Sequence, residues 1–344
     1  MPKVGVLRLS ALGDAVLTIP LIETLVASPR FSEVVWITTR PVVELLGPIE
    51  KCRFVVVEKT NSLASFYRNW KVLRNENLEN LILAQASFSA HLVSILIKAK
   101  RKIGFDQRRG KDLHRFFIDE SIPYRDEHFV EAYLSFATKL KIPPKDDRSF
   151  WSYAFKHIDL DFGMKFRAAN QFLVLIHPCS SKHERRWTLE GYRALIKTLL
   201  EHNCTPVIIG GNDAEEQSFN SRVVEEFGSR VFNLTGSLNL TNWASLLKEA
   251  DLVIAPDTGA IHLANALGTL VVGLYAVANP LLTGPFKNLH NSVNKYPDAV
   301  KMFESAEPRD FHHRVHDNRA MQLIEFEDVW NKVSSILGNL PEND

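Results

Sequence analysis

Apolar runs of strand length alternate with segments whose apolar residues recur at helical spacing along almost the whole 344-residue chain. That alternation predicts βα units around parallel sheets, because strands covered on both faces read as continuous apolar runs. In the first half VGVLRL (4–9), EVVWIT (33–38), FVVVE (54–58) and NLILAQ (80–85) read as strands, with helices near 14–27, 41–46, 62–75 and 87–99. Pro20 falls inside the first helix, where it either kinks the helix or moves its start.

Between Pro143 and Gln171 the pattern breaks into turns and charges, PPKDDRSFWSYAFKH, which reads as an interdomain connection. It restarts with QFLVLIHP (171–178) and continues through strands TPVIIGG (205–211), VFNLTG, DLVIAPD (251–257) and LVVGLYA (270–276), with helical segments between them. Residues 277–317 read as loops, and MQLIEFEDVWNKVSSIL returns to helical spacing. The expected fold class is α/β, with two doubly wound Rossmann-like domains, 1–160 and 161–317, facing across a cleft, and a closing helix in 318–344.

Composition narrows the function classes. A 45% hydrophobic fraction describes a globular protein, and 41 basic against 40 acidic side chains argue against a general nucleic-acid binder. Cys52, Cys179 and Cys204 are widely spaced and odd in number, which suggests neither a disulfide framework nor a zinc knuckle and fits a reducing compartment. The N-terminal apolar run is cut by Arg8 and Asp14, and no window approaches the roughly 20 apolar residues a bilayer span needs, so a cytoplasmic location is expected.

Four stretches carry candidate chemistry. VLRLSALGDAVLTIP (6–20) has the strand–turn–helix form of a nucleotide site, yet lacks G-x-G-x-x-G and places Asp14 where a phosphate would be repelled. DLVIAPDTGAIHLANALGT ends a buried strand at Asp257 and opens a helix at Thr258-Gly259, whose first amides can bind an anion. There Asp257 is either an N-cap or a ligand group, and His262 either a structural histidine or a contact to a diphosphate or sugar. IHPCSSKHERRWTLEGY brings Ser180, Ser181, Lys182, Arg185 and Arg186 to a strand's carboxyl end before an N-capping Thr188, an arrangement that suits a diphosphate or else a solvated loop.

In VIIGGNDAEEQ, Asp213 or Glu215 stands where a ribose hydroxyl pair binds in dinucleotide folds, though acids in a first helical turn also act as caps. Finally, KAKRKIGFDQRRGKDLHR (98–115) has eight Lys or Arg against two Asp. Such a run is either solvated surface or a site for an anionic partner, acceptor phosphates or a lipid surface.

Together these blocks resemble glycosyltransferase family 9, the ADP-heptose:lipopolysaccharide heptosyltransferases. LRLSALGDAVLTIPL, HPCSSKHERRW and LTGSLNLTNWASLLKEADLVIAPDTGAIHLANALGTLVVGLYAVANPLLTGPF stand in the family's order between Val4 and Phe286. LAQASFSAHLVSILIKAKRKIGFD and PCSSK are similar to the heptosyltransferase I branch, which acts on phosphorylated Kdo. The resemblance implies a GT-B fold and inverting transfer of L-glycero-D-manno-heptose from ADP-heptose to a Kdo residue, phosphorylated or not, of the lipopolysaccharide inner core. It implies no metal and no cofactor beyond the donor substrate. It also implies an acceptor-binding first domain, a donor-binding second domain, a lipid-anchored acceptor, and peripheral contact with the cytoplasmic face of the inner membrane.

By position, Asp14 matches the family's catalytic carboxylate, and Asp257, Thr258, Gly259 and His262 match its D-T-G-x-x-H block. Ser180 and Ser181 match the hydroxyl pair near the donor phosphates, and Glu215 the acid near the adenosine. Arg185 stands where the family usually has lysine, which retains the charge but not the same contacts. Ser10 and Gly13 beside Asp14, with Lys98, Lys100, Arg101, Lys102, Arg108 and Arg109 of the basic run, are the expected acceptor-binding residues.

The chemistry is consistent with that placement. Inversion needs a base on one face of the anomeric carbon and support for the leaving diphosphate on the other, so an acid outside the phosphate turn suits the first role. Two rivals are a nicotinamide-dependent dehydrogenase, disfavoured by the absent G-x-G-x-x-G, and a non-catalytic nucleotide-sugar binder, disfavoured by Asp14 together with D-T-G-x-x-H. A family 9 transferase using another sugar or acceptor is the remaining alternative.

Overall fold

In the computed structural model, which describes residues 2–60, 62–111, 113–158, 161–168, 171–304 and 310–340, the apolar runs pair into two parallel six-stranded sheets. The chain divides into two compact units, Met1–His157 and Ile158–Asp344. Among the described residues no helix is long and apolar enough to cross a membrane.

The first unit contains β1 (Lys3–Leu7), α1 (Leu12–Ala27), β2 (Glu33–Thr38), α2 (Arg40–Leu46), β3 (Cys52–Val56), α3 (Leu63–Leu73), β4 (Asn77–Leu83), α4 (Phe88–Ile95), β5 (Lys98–Gly104), β6 (Glu120–Ser121) and α5 (Phe129–Lys139). Its strand order is β3-β2-β1-β4-β5-β6, so the direction of winding reverses between β1 and β4. Right-handed crossovers then place α1 and α2 on one face and α3 and α4 on the other. Leu73 of α3 and Ala90 and Val93 of α4 pack on that second face against Leu7, Val35, Leu81 and Leu83 of the sheet.

Two expectations need correction here. The helix near 87–99 stops at Ile95, and residues 98–104 are a strand, because Lys98–Gly104 pairs in register with β4 and β6. The first helix begins at Leu12, so Gly13 lies in its first turn. The division between the units falls within the expected connection, at His157–Ile158, and the residues before it pack on the first unit: Phe150, Trp151 and Phe155 are buried, and the Tyr153 amide donates to Glu23 Oε1 at 2.7 Å. Glu23 is itself fully buried on α1, and its carboxyl pKa is raised by that burial, with Lys145 Nζ at 3.6 Å as the partial counter-charge.

Pro20 does stay within α1, and the reason lies in the same segment. A proline has no N–H for the carbonyl four residues earlier, which here is Val16. The Trp151 indole N–H donates to that oxygen at 2.9 Å, so the helix runs on with no orphaned acceptor.

A buried imidazole pair anchors the end of β5. The Phe105 amide donates to His114 Nε2 at 3.0 Å, so the His114 proton sits on Nδ1 and points to His91 Nε2 at 2.8 Å. Burial, then the neighbouring His91, depress the His114 pKa to about 4. Because the folded value lies below the unfolded one, stability from this group is complete above about pH 6.5 and falls as pH drops towards 4. A ring-proton NMR titration is expected to show His114 still neutral at pH 5; a midpoint near 6.5 would contradict the arrangement.

The second unit contains β7 (Phe172–Ile176), α6 (Leu189–Glu201), β8 (Cys204–Ile208), α7 (Ala214–Val224), β9 (Phe232–Asn233), α8 (Leu240–Glu249), β10 (Leu252–Pro256), α9 (Gly259–Leu267), β11 (Leu270–Tyr275), α10 (Pro280–Thr283), β12 (Val293–Asn294), α11 (Tyr296–Phe303) and α12 (Phe326–Leu337). Its order, β12-β11-β10-β7-β8-β9, reverses between β7 and β10. The Thr188 hydroxyl accepts from the Gly191 amide and starts α6, which buries Leu195, Ile196 and Leu199, about 1.5–3 kcal/mol each. The expected loop at 277–317 holds α10, β12 and α11; residues 305–309 of it lie outside the described residues, as do 159, 160, 169 and 170 of the expected connection. The tail helix α12 buries Val329, Val333 and Ile336 in this unit's core.

Candidate active site

Ligands of doubly wound folds bind beyond the strand ends where the winding reverses, and the two candidate clusters stand at those two points. In the first unit, β1 delivers Arg8, Ser10 and then Asp14 at the third position of α1. Across the reversal, the chain after β4 supplies Gln85, whose Oε1 accepts from the Leu9 amide at 2.8 Å and the Ser10 amide at 3.3 Å. The loop between β1 and α1 is thus fixed from the far side of the switch point.

Asp14 carries two contacts, both on Oδ2: the Ala11 amide at 3.2 Å, which caps the helix, and the Arg8 guanidinium. Arg8 is buried, and its Nη1 donates to Ala84 O at 2.8 Å. Burial works to lower its pKa, but Tyr133 and Asp14 outweigh it, so the guanidinium stays charged. A cation is therefore locked beside the candidate base, with the carboxylate side chain 38% exposed. Arg8 was missed in the sequence because it ends an apolar strand; a charge in such a run, which must find a partner, was the available signal.

In the second unit the loop after β7 and the loop after β10 meet. Arg185 Nη1 lies 2.8 Å from Asp257 Oδ2 and donates to the Asp257 carbonyl at 3.3 Å. His262 Nε2 stands 3.9 Å from Asp257 Oδ1. All three are buried, and Tyr275 adds a buried hydroxyl whose pKa burial pushes well above its ordinary value. The N-cap of α9 is Thr258, not Asp257, and its side chain makes no capping bond. Asp257 instead orients Arg185 at the positive end of the helix that Gly259 begins.

Ser180 turns back on the chain, its Oγ accepting from the Lys182 amide at 3.2 Å and donating to the Lys182 carbonyl, while Ser181 is exposed. Glu215 is largely exposed and lies 3.2 Å from Arg186 and 3.5 Å from His183. Asp213, weighed as a ribose ligand, is the N-cap of α7, accepting from the Glu215 and Glu216 amides. The less exposed acid here is the half-buried Glu216, 2.9 Å from His177 Nε2; its partial burial opposes ionisation, but the His177 bond prevails and holds its pKa below the usual range. Neither His177 nor Glu216 stood out in the sequence, where one is a strand-end histidine and the other a first-turn acid.

The basic run is not the uncommitted patch its composition suggested. Lys100 pairs with Glu79 at 2.9 Å, Arg101 with Glu120, and Lys102 Nζ donates to the Ser94 carbonyl at 2.8 Å. Arg109 is buried against Asp106 and Glu127 and donates to the Pro123 carbonyl. Lys98 and Arg108 are exposed, with Arg108 stacked over Tyr124 at 4.7 Å. Burial pushes the thiols of Cys52, Cys179 and Cys204 up to about 12, which leaves them without thiolate character at neutral pH. Among the described residues no group of three or more His, Cys, Asp or Glu is arranged to hold a metal ion.

The family profile described as glycosyltransferase family 9 (heptosyltransferase) matches residues 66–309. The chain is 30% identical over 298 residues to the lipopolysaccharide core heptosyltransferase OpsX of Haemophilus influenzae, covering 86% of this chain and 85% of that protein. Among solved structures, a glycosyl transferase family 9 protein from Veillonella parvula superimposes with a TM-score of 0.78 at 18% identity, covering 98% of both chains. The E. coli heptosyltransferase WaaC with ADP-2-deoxy-2-fluoro heptose gives 0.68 at 18% identity, over 97% of this chain and 99% of that one. The two-sheet α/β architecture is that of the GT-B heptosyltransferases.

Proposed function

Because the chain belongs to glycosyltransferase family 9, we propose that it is an inverting heptosyltransferase that moves L-glycero-D-manno-heptose from ADP-heptose to a Kdo residue of the lipopolysaccharide inner core. The observation that carries the donor side is the buried Arg185–Asp257 pair beside the open N-terminus of α9. A guanidinium and helix amides directed at one point suit the negative charge that a nucleoside diphosphate gains as it leaves.

In this reading Asp14 takes the proton of the acceptor hydroxyl as its oxygen bonds to the anomeric carbon. The bond from that carbon to the phosphate oxygen breaks, and its electron pair leaves with ADP. Arg185 and the Thr258-Gly259 amides support the departing charge, Asp257 holds Arg185, and His262 meets the sugar or phosphate. Ser180, Ser181 and Glu215 complete the donor side; Ser10 and Gly13 lie beside the base, and Arg108, beyond the carboxyl end of β5, is an exposed cation available to acceptor phosphates, whereas Lys98 opens β5 at the amino edge of the sheet, away from Asp14. The reading assigns no role to a metal and places the enzyme at the cytoplasmic face of the inner membrane.

Thermal unfolding with a panel of nucleoside diphosphates and their sugars tests the donor. At 100 times its Kd, ADP-heptose is expected to stabilise the protein by roughly 2.7 kcal/mol, with ADP following. Stabilisation by a uridine or guanosine diphosphate sugar, and not by ADP-heptose, would move the chain to another donor. Transfer of labelled heptose onto lipid-linked Kdo, with and without its phosphate, then fixes the acceptor.

A further inference from the structure

We propose that the outer face of α3, α4 and the adjoining turn His114–Phe117 is the surface by which the protein docks on an anionic lipid bilayer. These elements lie side by side over one face of the first sheet, with Leu73, Ala90, Val93 and Phe117 turned inward. Their other sides are unusually apolar. Of thirteen large apolar residues exposed among the described ones, eight stand here.

On α3 these are Leu63, Tyr67, Trp70 and Val72, and Leu63 is 89% exposed. Leu63, Tyr67, Trp70 and Arg74 follow at four-, three- and four-residue steps and so share one face of the helix. Tyr67 stacks on Trp70 with ring centroids 5.6 Å apart, Lys71 lies 4.8 Å from the Tyr67 centroid, and Arg74 lies 5.1 Å from that of Trp70. Phe88 and Ile95 of α4 extend the surface, and Leu113 and Phe116 complete it, Arg115 lying over the Phe116 ring at 4.7 Å.

Aromatic rings alternating with cations, beside freely exposed Leu and Phe, match the depth profile of a membrane interface. Rings and aliphatic chains enter the headgroup boundary while cations meet the phosphates. Charge selects the occupant. Residues 59–75 contain Lys59, Arg68, Lys71 and Arg74 and no acid, Arg68 alone being paired outward, with Glu58. Two copies meeting through this face would bring these cations together, whereas an anionic bilayer neutralises them. The proposal deepens the reading above, in which the acceptor sugar is lipid-borne, by naming the surface that brings the protein to it.

The test is co-sedimentation of the full chain with vesicles of phosphatidylcholine alone or mixed with phosphatidylglycerol, at low and high salt. The parent is expected to bind the mixed vesicles, less at high salt, and to leave the neutral ones largely unbound. The pair Leu63→Ser and Phe116→Ser, both at strongly exposed positions, should lower partitioning at least about tenfold. Lys71→Glu with Arg74→Glu should lower it on the order of 20-fold or more, since each cation near the surface contributes about fivefold.

Both variants should keep the parent's melting curve and its rate on a lipid-free acceptor, which separates docking from catalysis. Parent-like partitioning by both variants would overturn the proposal, as would indifference of the parent to anionic vesicles. Self-association abolished by the same substitutions, in a parent that ignores vesicles, would assign the face to a second copy instead. Vesicle binding as expected in a protein that transfers no heptose would refute the proposed function and leave the docking surface standing.

Discussion

Asp14→Asn is expected to lower turnover at least about 100-fold while leaving donor affinity unchanged, because a positioned general base contributes roughly 100- to 10,000-fold. The substitution is nearly isosteric. The amide oxygen still accepts from the Ala11 N–H, so the start of α1 keeps its cap. What is lost is the ability to take a proton and the ion pair with buried Arg8. The second loss can cost stability, so the variant is to be compared with the parent by melting curve, by donor titration and by single-turnover rate. A folded variant that binds donor and turns over near the parent rate would remove Asp14 from the role of base. A variant that loses donor binding equally would mean that the carboxylate serves the donor.

Arg185→Ala should act on both stability and the donor. Breaking a buried pair leaves the other charge unpaired, at a cost of about 3–5 kcal/mol, and Arg185 and Asp257 have side chains only 11% and 8% exposed. The double variant Arg185→Ala with Asp257→Ala removes both charges and should recover part of that stability, a coupling that a denaturant-based double-mutant cycle reads directly. Donor binding should not recover with it, since the guanidinium is absent in both. Full recovery of donor affinity in the double variant would show that Arg185 only neutralises Asp257. Arg185→Lys is informative for the same reason: it restores the charge but has one nitrogen, where Arg185 reaches both the Asp257 carboxylate and its carbonyl.

Much of the architecture was legible because parallel strands covered on both faces must be apolar throughout, as VVWI of β2, LVLI of β7 and VVGL of β11 are. The same rule hid β5. Its sequence, KAKRKIG, reads as a charge run, and only the carboxylates on neighbouring strands, Glu79 and Glu120, make it a strand with neutralised side chains. Those partners are fixed by sheet order, which local sequence does not carry. The donor cluster was half visible: Asp257, Thr258, Gly259 and His262 are local, whereas the choice of Arg185 over Lys182 or Arg186 as Asp257's partner depends on where the turn His183–Arg185 points. Arg8, His177 and Glu216 went unread because each looked like an ordinary end of its own element.

The bond between Trp151 and Val16 sets an order of events as well as a geometry. The first helix of the first unit carries a carbonyl that the helix itself cannot satisfy, and the donor lies 135 residues downstream. On a ribosome adding 5–20 residues per second, Val16 is made roughly 7 to 27 s before its partner. Until then α1 exists with an open acceptor at Pro20 and with Glu23 lacking both the Tyr153 amide and Lys145. The first unit is therefore finished by its last fifteen residues, and a chain interrupted before Trp151 holds all six strands of the sheet without the donor that satisfies its first helix.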